Sequence, residues 1–346
     1  MNRSTSLLAI VCLVAFSCQS PNEQQAEKQA FKAIIIDGSN NHYVWPKTTQ
    51  IIKDYLEKTA LFEVEIERMD TVWLGMKYNP NRPEAYENFI ETYPAGNAPQ
   101  VRTKDPLVTI NFQMDFTAYD LVVLNIGELT PQWPASTKTN FENYMKNGGG
   151  LIVLHAANNA WGDWKAYNEM IGLGAWGDRD STSGPYAFYN DAEALQLDSA
   201  AGACGSHGPE TEFVLTTRAP EHPIMRGLPT EWLHTADELY ARMRGPFQNA
   251  TILATSYSDV IAETAPWDAS IVGSGKHEPL LMAIEYGKGR VFHSALGHFD
   301  YSMECVGFMT TLQRGAEWTV TGQVTQPIPA DFPTAKNASA RSWSME

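Results

Sequence analysis

Five residues could carry acid–base or metal chemistry if the fold gathers them: His42, His155, His207, His298 and Glu238. Imidazole is a general base near neutral pH and a common metal ligand, and a nearby carboxylate can orient it or exchange protons. No local signature ties the five together. The chain has no HExxH and no CxxC, and dozens of residues separate each member from the next. As ligands they would suit zinc, which takes three or four His, Asp or Glu side chains and keeps an open position when catalytic. A divalent metal is therefore the one cofactor these residue types suggest. Trp45, Asn158, His234, Asp237 and Tyr240 lie close to them in sequence and are the candidate substrate-binding residues.

The elements that must position these residues can be read from apolar patterning. Gly148-Gly149-Gly150-Leu151-Ile152-Val153-Leu154-His155-Ala156-Ala157 has four apolar residues with no polar break, and predicts a strand buried on both faces. His155 closes it, and in open α/β sheets ligands bind at the carboxyl ends of strands. A histidine merely hydrogen-bonded at a strand end is the plainer alternative. His42 follows a first strand, Lys32 to Gly38, and His298 follows the last one, Arg290 to Leu296. A parallel sheet would bring His155 and His298 into one pocket, with His42 and Glu238 near its rim. His207 sits between glycines in Cys204–Pro209, where a plain turn is the competing reading. The acids Asp237-Glu238 could orient a histidine or simply cap an element. His222 and His293 read as structural, and His277 as surface.

The rest of the chain supplies the layers. Pro46 opens a helix carrying Ile51, Ile52, Tyr55 and Leu56. Phe62 to Met69 alternates as a strand nearer a sheet edge, and strand, helix, strand in this order implies a right-handed parallel unit. Asp120 to Gly127 is a third strand, and a helix through Phe141 to Lys146 stops at Asn147-Gly148. Residues 70–117 and 158–212 lack a period and read as long insertions, the first lying over the site. Short strands are expected at Phe213–Thr217, Glu238–Ala241 and Ala250–Thr255. A hairpin follows at Pro279–Tyr286 and Arg290–Leu296, then a closing helix from Cys305 to Val320.

Composition narrows the ligand class. The chain has 346 residues, is 43% hydrophobic and carries a net charge of -15. Phosphate binding wants a basic face, so nucleic acid is excluded as a partner, and a neutral ligand such as a sugar fits better. No glycine-rich phosphate loop follows the first strand, which disfavours nucleotide cofactors. At the start, Arg3 precedes the apolar run Leu7–Phe16, too short to span a bilayer, and Ser17-Cys18 follows. This resembles a bacterial lipoprotein signal over residues 1–17, which implies Cys18 lipid-anchored to the membrane and residues 18–30 a polar tether, with simple secretion or a plain N-terminal anchor as the alternatives. The expected location is the cell envelope, on the periplasmic or outer-membrane face. Cys204 and Cys305 lie about a hundred residues apart and imply no disulfide framework.

Several ordered motifs together resemble one family. His222-Pro223-Ile224-Met225-Arg226-Gly227-Leu228-Pro229, then Trp232-Leu233-His234, then Asp237-Glu238-Leu239-Tyr240, look like the ThuA-like family, named for trehalose utilisation. So do Tyr286-Gly287-Lys288-Gly289-Arg290-Val291-Phe292-His293-Ser294-Ala295-Leu296-Gly297-His298, the Asp37-Gly38 loop with His42, and the strand ending at His155. The resemblance covers roughly residues 31–320. It implies a class I glutamine amidotransferase-like fold: an α/β, flavodoxin-like three-layer sandwich with a mostly parallel central sheet, long loop insertions and a C-terminal hairpin plus helix. The implied organisation is a ThuA-like domain over 31–322 and a C-terminal tail over 323–346. Amidotransferases place a nucleophilic cysteine after a central strand. Here that strand delivers His155-Ala156-Ala157, with no Cys, Ser or Thr beside it, so a cysteine-dependent amidotransferase is not expected. The expectation is an exported, membrane-anchored protein acting on carbohydrate (sugar, keto-sugar or glycoside) by histidine/carboxylate or metal-assisted chemistry. A non-catalytic sugar-binding or partner-docking lipoprotein is the alternative.

Overall fold

Uninterrupted apolar strands must be covered on both faces, and that requirement organises the molecule. The computed structural model describes Met1 and residues 30–73, 83–96 and 100–345. The expected leader, Met1 apart, and most of the expected tether lie outside the described residues. In chain order the first half holds β1 (Phe31–Asp37), α1 (Trp45–Glu57), β2 (Phe62–Arg68), β3 (Thr71–Trp73), α2 (Pro83–Thr92), β4 (Val101–Thr103), β5 (Leu121–Leu124), α3 (Ala135–Lys146), β6 (Gly150–Leu154) and α4 (Lys165–Ile171). The second half holds β7 (Tyr186–Tyr189), β8 (Leu195–Asp198), β9 (Thr211–Thr217), β10 (Glu231–Asp237), β11 (Ala250–Tyr257), β12 (His277–Tyr286), β13 (Gly289–Ser294), α5 (Asp300–Met303) and α6 (Val306–Thr321).

The main sheet runs β10-β9-β11-β12-β13-β6-β5-β1-β2, with β7 paired off β12 and β8 paired to β7. Strands β13, β6, β5, β1 and β2 are mutually parallel, and every other pairing in this sheet is antiparallel. The expected mostly parallel sheet is therefore corrected to a mixed one. The physical reason is connection length: β12 and β13 are joined by the tight Gly287-Lys288 turn, and a two-residue loop can only reverse the chain. The strand expected at Glu238–Ala241 ends at Asp237 instead. There the Asp237 carboxylate takes the Glu238 N–H at 2.9 Å, which turns the chain out of the ladder. The aperiodic insertions hold short elements, β3, α2 and β4 in the first and α4, β7 and β8 in the second. Most are too short to leave a period in the sequence.

Helices cover both faces. The ring of Phe292 packs against Gly315 of α6, where an added Cβ would meet it at 2.4 Å. The next residue, His293, points the other way and lies 2.8 Å from the Ile171 carbonyl at the end of α4. Helix α1 contacts α6 on the first face, while Phe141 of α3 meets Trp164 at the start of α4 on the second. The antiparallel part of the sheet curls back toward α5 and α6. Trp232 of β10 rests on Gly307 of α6, and the Ala236 carbonyl accepts from Ser302 of α5 at 2.8 Å. This curl carries the end of an edge strand back to the sheet's middle.

His293 also sets a pH dependence. Its ring is fully buried, with Nε2 3.0 Å from Asn158 Nδ2, and burial holds its pKa down to about 4 from 6.5. The unfolded chain thus binds more protons between those values, so stability rises with pH across this window and is lost as pH falls from 6.5 toward 4. Urea unfolding should show the native chain losing about 3 kcal/mol more than a His293→Gln variant between pH 7 and pH 4. Equal losses would show that His293 is not held neutral.

Candidate metal centre

The β6 strand runs directly into a strained residue. His155 adopts φ +44, a left-handed conformation that costs a non-glycine residue of order 1–3 kcal/mol and collects at functional sites. Its Nδ1 lies 2.8 Å from the Ala295 carbonyl, just past β13. A neutral ring then donates through Nδ1 and directs the Nε2 lone pair into the site. Around that nitrogen stand the Tyr240 hydroxyl at 2.9 Å and Glu238 Oε2 at 3.6 Å. The His42, His155 and His298 rings are mutual neighbours, with centroids 5.1 Å (42–155), 4.4 Å (42–298) and 5.2 Å (155–298) apart. Glu238 Oε1 lies 3.4 Å from His298 Nε2. One ligand atom from each of His42, His155, Glu238 and His298 falls within 4.8 Å of the others.

Each member is placed by a separate device. The His42 loop is fixed by Asn40, whose Oδ1 accepts the His42 N–H at 2.9 Å and whose Nδ2 reaches Asn125 Oδ1 at 3.3 Å. Asn125 in turn donates to the hydroxyls of Thr48 and Thr49 in α1, at 3.0 and 2.9 Å. Buried Asp37 at the end of β1 binds Arg68 through both carboxylate oxygens, at 3.0 and 2.9 Å. Gly297, at φ +102, turns the chain after β13. Asp237 then gathers the loop: it accepts the N–H groups of Gly297 at 2.7 Å, His298 at 3.0 Å and Glu238 at 2.9 Å, and binds His234 Nε2 at 2.8 Å. One buried carboxylate thus fixes two of the four cluster residues. Glu210 Oε1 sits 2.8 Å from His298 Nδ1, though off the line of a hydrogen bond.

Crowding sets the protonation. Burial, then the His298 and His155 rings, hold the His42 pKa well below its ordinary value. Burial, then His155, do the same for His298. Burial also opposes a charge on His155, but the Glu238 carboxylate outweighs it and holds that pKa above the ordinary value. Burial is opposed at Asp237 by His234 and the Gly297 N–H, which bring the acid down to about 2. Burial and the Glu238 carboxylate push Glu210 up to about 7, and push the Tyr240 hydroxyl well above its ordinary range. Tyr240 therefore keeps its proton.

The cluster opens into a cavity of about 660 Å³. His42, Glu238 and His298 line it, with His155 just beneath the floor, and His207, Tyr240, Asn159, Trp176, Trp267 and Phe299 form walls. His207 Nδ1 lies 3.4 Å from Glu238 Oε1. The five candidate catalytic residues are therefore brought together, with His42 and Glu238 inside the cluster rather than at its rim. Of the candidate substrate-binding residues, only Tyr240 reaches the cavity. Trp45 is a core residue beside Val72 and Ile90, with the Arg68 guanidinium 4.6 Å from its ring centre. Asn158 is turned inward to His293, and His234 and Asp237 are buried behind the site. Because the turn after β6 is helical, neighbouring residues point apart, and Asn159 rather than Asn158 faces the opening. Glu210, Trp176 and Trp267 escaped the sequence reading, their only signal being an aromatic-rich insertion and loop. Cys204 and Cys305 are free thiols and line neither this cavity nor the one beside it.

Comparison with known proteins agrees with this architecture. A crystal structure of a ThuA-like protein from Parabacteroides merdae ATCC 43184 is 37% identical and superposes with a TM-score of 0.73, covering 90% of this chain and 98% of that one. A ThuA-like protein from Bacteroides uniformis ATCC 8492 shares the fold at 17% identity and a TM-score of 0.52, covering 88% and 97%. No functionally curated protein matches. The sequence profile described as ThuA, trehalose utilisation, matches residues 32–319, and the chain belongs to that family.

Proposed function

We propose that this protein is a carbohydrate-active enzyme working through a divalent ion held by His42, His155, His298 and Glu238. The observation that carries the reading is the convergence of four ligand atoms within 4.8 Å at the floor of an aromatic-walled cavity. Three imidazoles and one carboxylate form a donor set suited to zinc. The Glu238 carboxylate bridges toward two of the imidazoles, Oε1 lying 3.4 Å from His298 Nε2 and Oε2 3.6 Å from His155 Nε2, so the acid could ligate through either oxygen. Burial favours neutral His42 and His298, the form that ligates.

A bound divalent ion supplies Lewis acidity to a sugar oxygen or lowers the pKa of a water. The chain's own groups do the remainder. Tyr240, held protonated, offers a hydrogen bond to a substrate oxygen, and His207 on the wall is the imidazole placed to exchange a proton with the substrate. The indole faces of Trp176 and Trp267 offer flat apolar surface to a sugar ring. The net charge of -15 favours a neutral ligand over an anionic one. Catalysis is favoured over binding alone because titratable side chains beyond the ligand set face the same cavity, Tyr240 and His207, with His207 Nδ1 3.4 Å from Glu238 Oε1. A passive binding site needs only the aromatic walls.

The test is elemental analysis of purified protein with turnover assays on neutral sugars and glycosides. One divalent ion per chain is expected, with turnover lost on chelation and restored by zinc. Undiminished turnover without metal would refute the ion's role. We also propose export, with acylation of Cys18 as the membrane anchor, two or three acyl chains being needed for stable attachment. Among the described residues no helix is long and apolar enough to cross a membrane. Mass spectrometry of the native protein should find an acylated peptide beginning at Cys18; a mature form starting elsewhere would refute it.

A further inference from the structure

We propose that the cleft contains a second subsite, beyond His207 from the ligand cluster, which binds a second neutral sugar ring, so that the substrate is a two-ring glycoside rather than a free monosaccharide. This inference rests on the carbohydrate reading above.

A second cavity of about 310 Å³ adjoins the first and shares Trp176, His207 and Trp267 with it. Trp267 and Trp176 flank the same imidazole, their ring centroids 5.0 and 5.6 Å from that of His207. These three rings form the partition, and each indole faces both chambers. Trp267 is 58% exposed, so its indole face is open to a ligand entering from solvent.

Backbone strain points to the same chamber. Trp176 and Arg242 hold left-handed conformations at φ +47 and +60, which bulky side chains rarely adopt without a compensating role. Gly205, at φ +89, lies so close to the Trp176 ring that a Cβ there would approach it to 2.8 Å. The indole is thus laid flat on the chain beside the second cavity.

The polar lining suits hydroxyls. Arg242 Nη1 donates to Ser206 Oγ at 2.6 Å and to the Val272 carbonyl at 3.0 Å, and Nη2 donates to the Gly273 carbonyl at 3.3 Å. The guanidinium is largely engaged by neutral oxygens that fasten the loop over the chamber, which argues against an anion receptor. A pyranose ring presents an apolar face to an indole and hydroxyls at its edge to Ser206. A ring seated there would project its neighbour past His207 toward Glu238.

The experiment is calorimetric titration of the zinc-loaded full chain with glucose, galactose and mannose, with maltose, cellobiose, lactose and trehalose, and with glucuronate and glucose 6-phosphate. At least one disaccharide should bind about ten-fold or more tighter than its monosaccharide, the size of one aromatic contact. Trp267→Ala, which removes the stacking face, and Val272→Trp, which fills the chamber, should each erase that difference. Both positions are exposed, so circular dichroism should show both variants folded. Equal affinity for one and two rings, tighter binding of the anionic sugars, or a preference that survives both variants overturns the second-ring subsite while leaving sugar binding at the cluster intact. No binding of any sugar overturns both readings.

Discussion

Glu238→Gln is expected to lose the ion and the turnover together. Glu238 is the single anion among the four ligands, and its two oxygens lie 3.4 Å from His298 Nε2 and 3.6 Å from His155 Nε2. Groups that merely orient metal ligands are worth about 10–100-fold in affinity, so loss of a charged ligand should exceed a factor of about 100. His155→Ala should abolish turnover in the same way. Its stability change should stay within the ordinary 0.5–3 kcal/mol of single substitutions, roughly as large as the strain already stored at φ +44. Chelator competition reads the zinc affinity, and thermal unfolding reads the fold. Folded variants that bind zinc as tightly as the native chain would remove the metal centre, and a fully active His155→Ala would leave only a binding role.

Asp237→Ala should be the most destabilising change near the site. The residue is fully buried, and its loss strands the N–H groups of Gly297, His298 and Glu238 together with His234 Nε2. Removing one partner of a buried ion pair costs about 3–5 kcal/mol. Zinc affinity should fall about 10–100-fold as well, because Asp237 touches no cluster ligand atom but fixes the backbone of two ligands. Asp237→Asn keeps the shape and part of the acceptor capacity, so it should fall between the native chain and Asp237→Ala in both measurements. Urea unfolding and zinc titration separate the two effects. Native stability with native zinc affinity in Asp237→Ala would show that the loop holds itself.

Much of the frame was legible along the chain. The runs Ala33–Ile36, Leu121–Leu124 and Leu151–Leu154 are uninterrupted and apolar, and each became a buried parallel strand, because strands covered on both faces have no polar side to show. Alternation over Phe62–Arg68 marked the sheet edge for the converse reason. The histidines at strand ends were likewise visible as chemistry awaiting a geometry.

The rest belongs to the folded chain. β1 is separated from β6 by β5, and the loop after β1, not strand adjacency, brings His42 to the cluster. Within the antiparallel half each pairing reverses direction, so whether β10 ends at the same edge as β6 depends on how many reversals intervene. Four lie between β13 and β10, which returns β10 to the direction of β13, and the curl toward α5 and α6 then delivers Glu238. Trp45 and Asn158 stood beside the right histidines in sequence but turned into the core, while Glu210, Trp176 and Trp267 arrived from distant loops. Apolar periodicity is set by each residue's own burial and so survives in one dimension. Strand direction, sheet curl and the facing of loop side chains are fixed by pairings among residues far apart in the chain, and those existed only once the chain had folded.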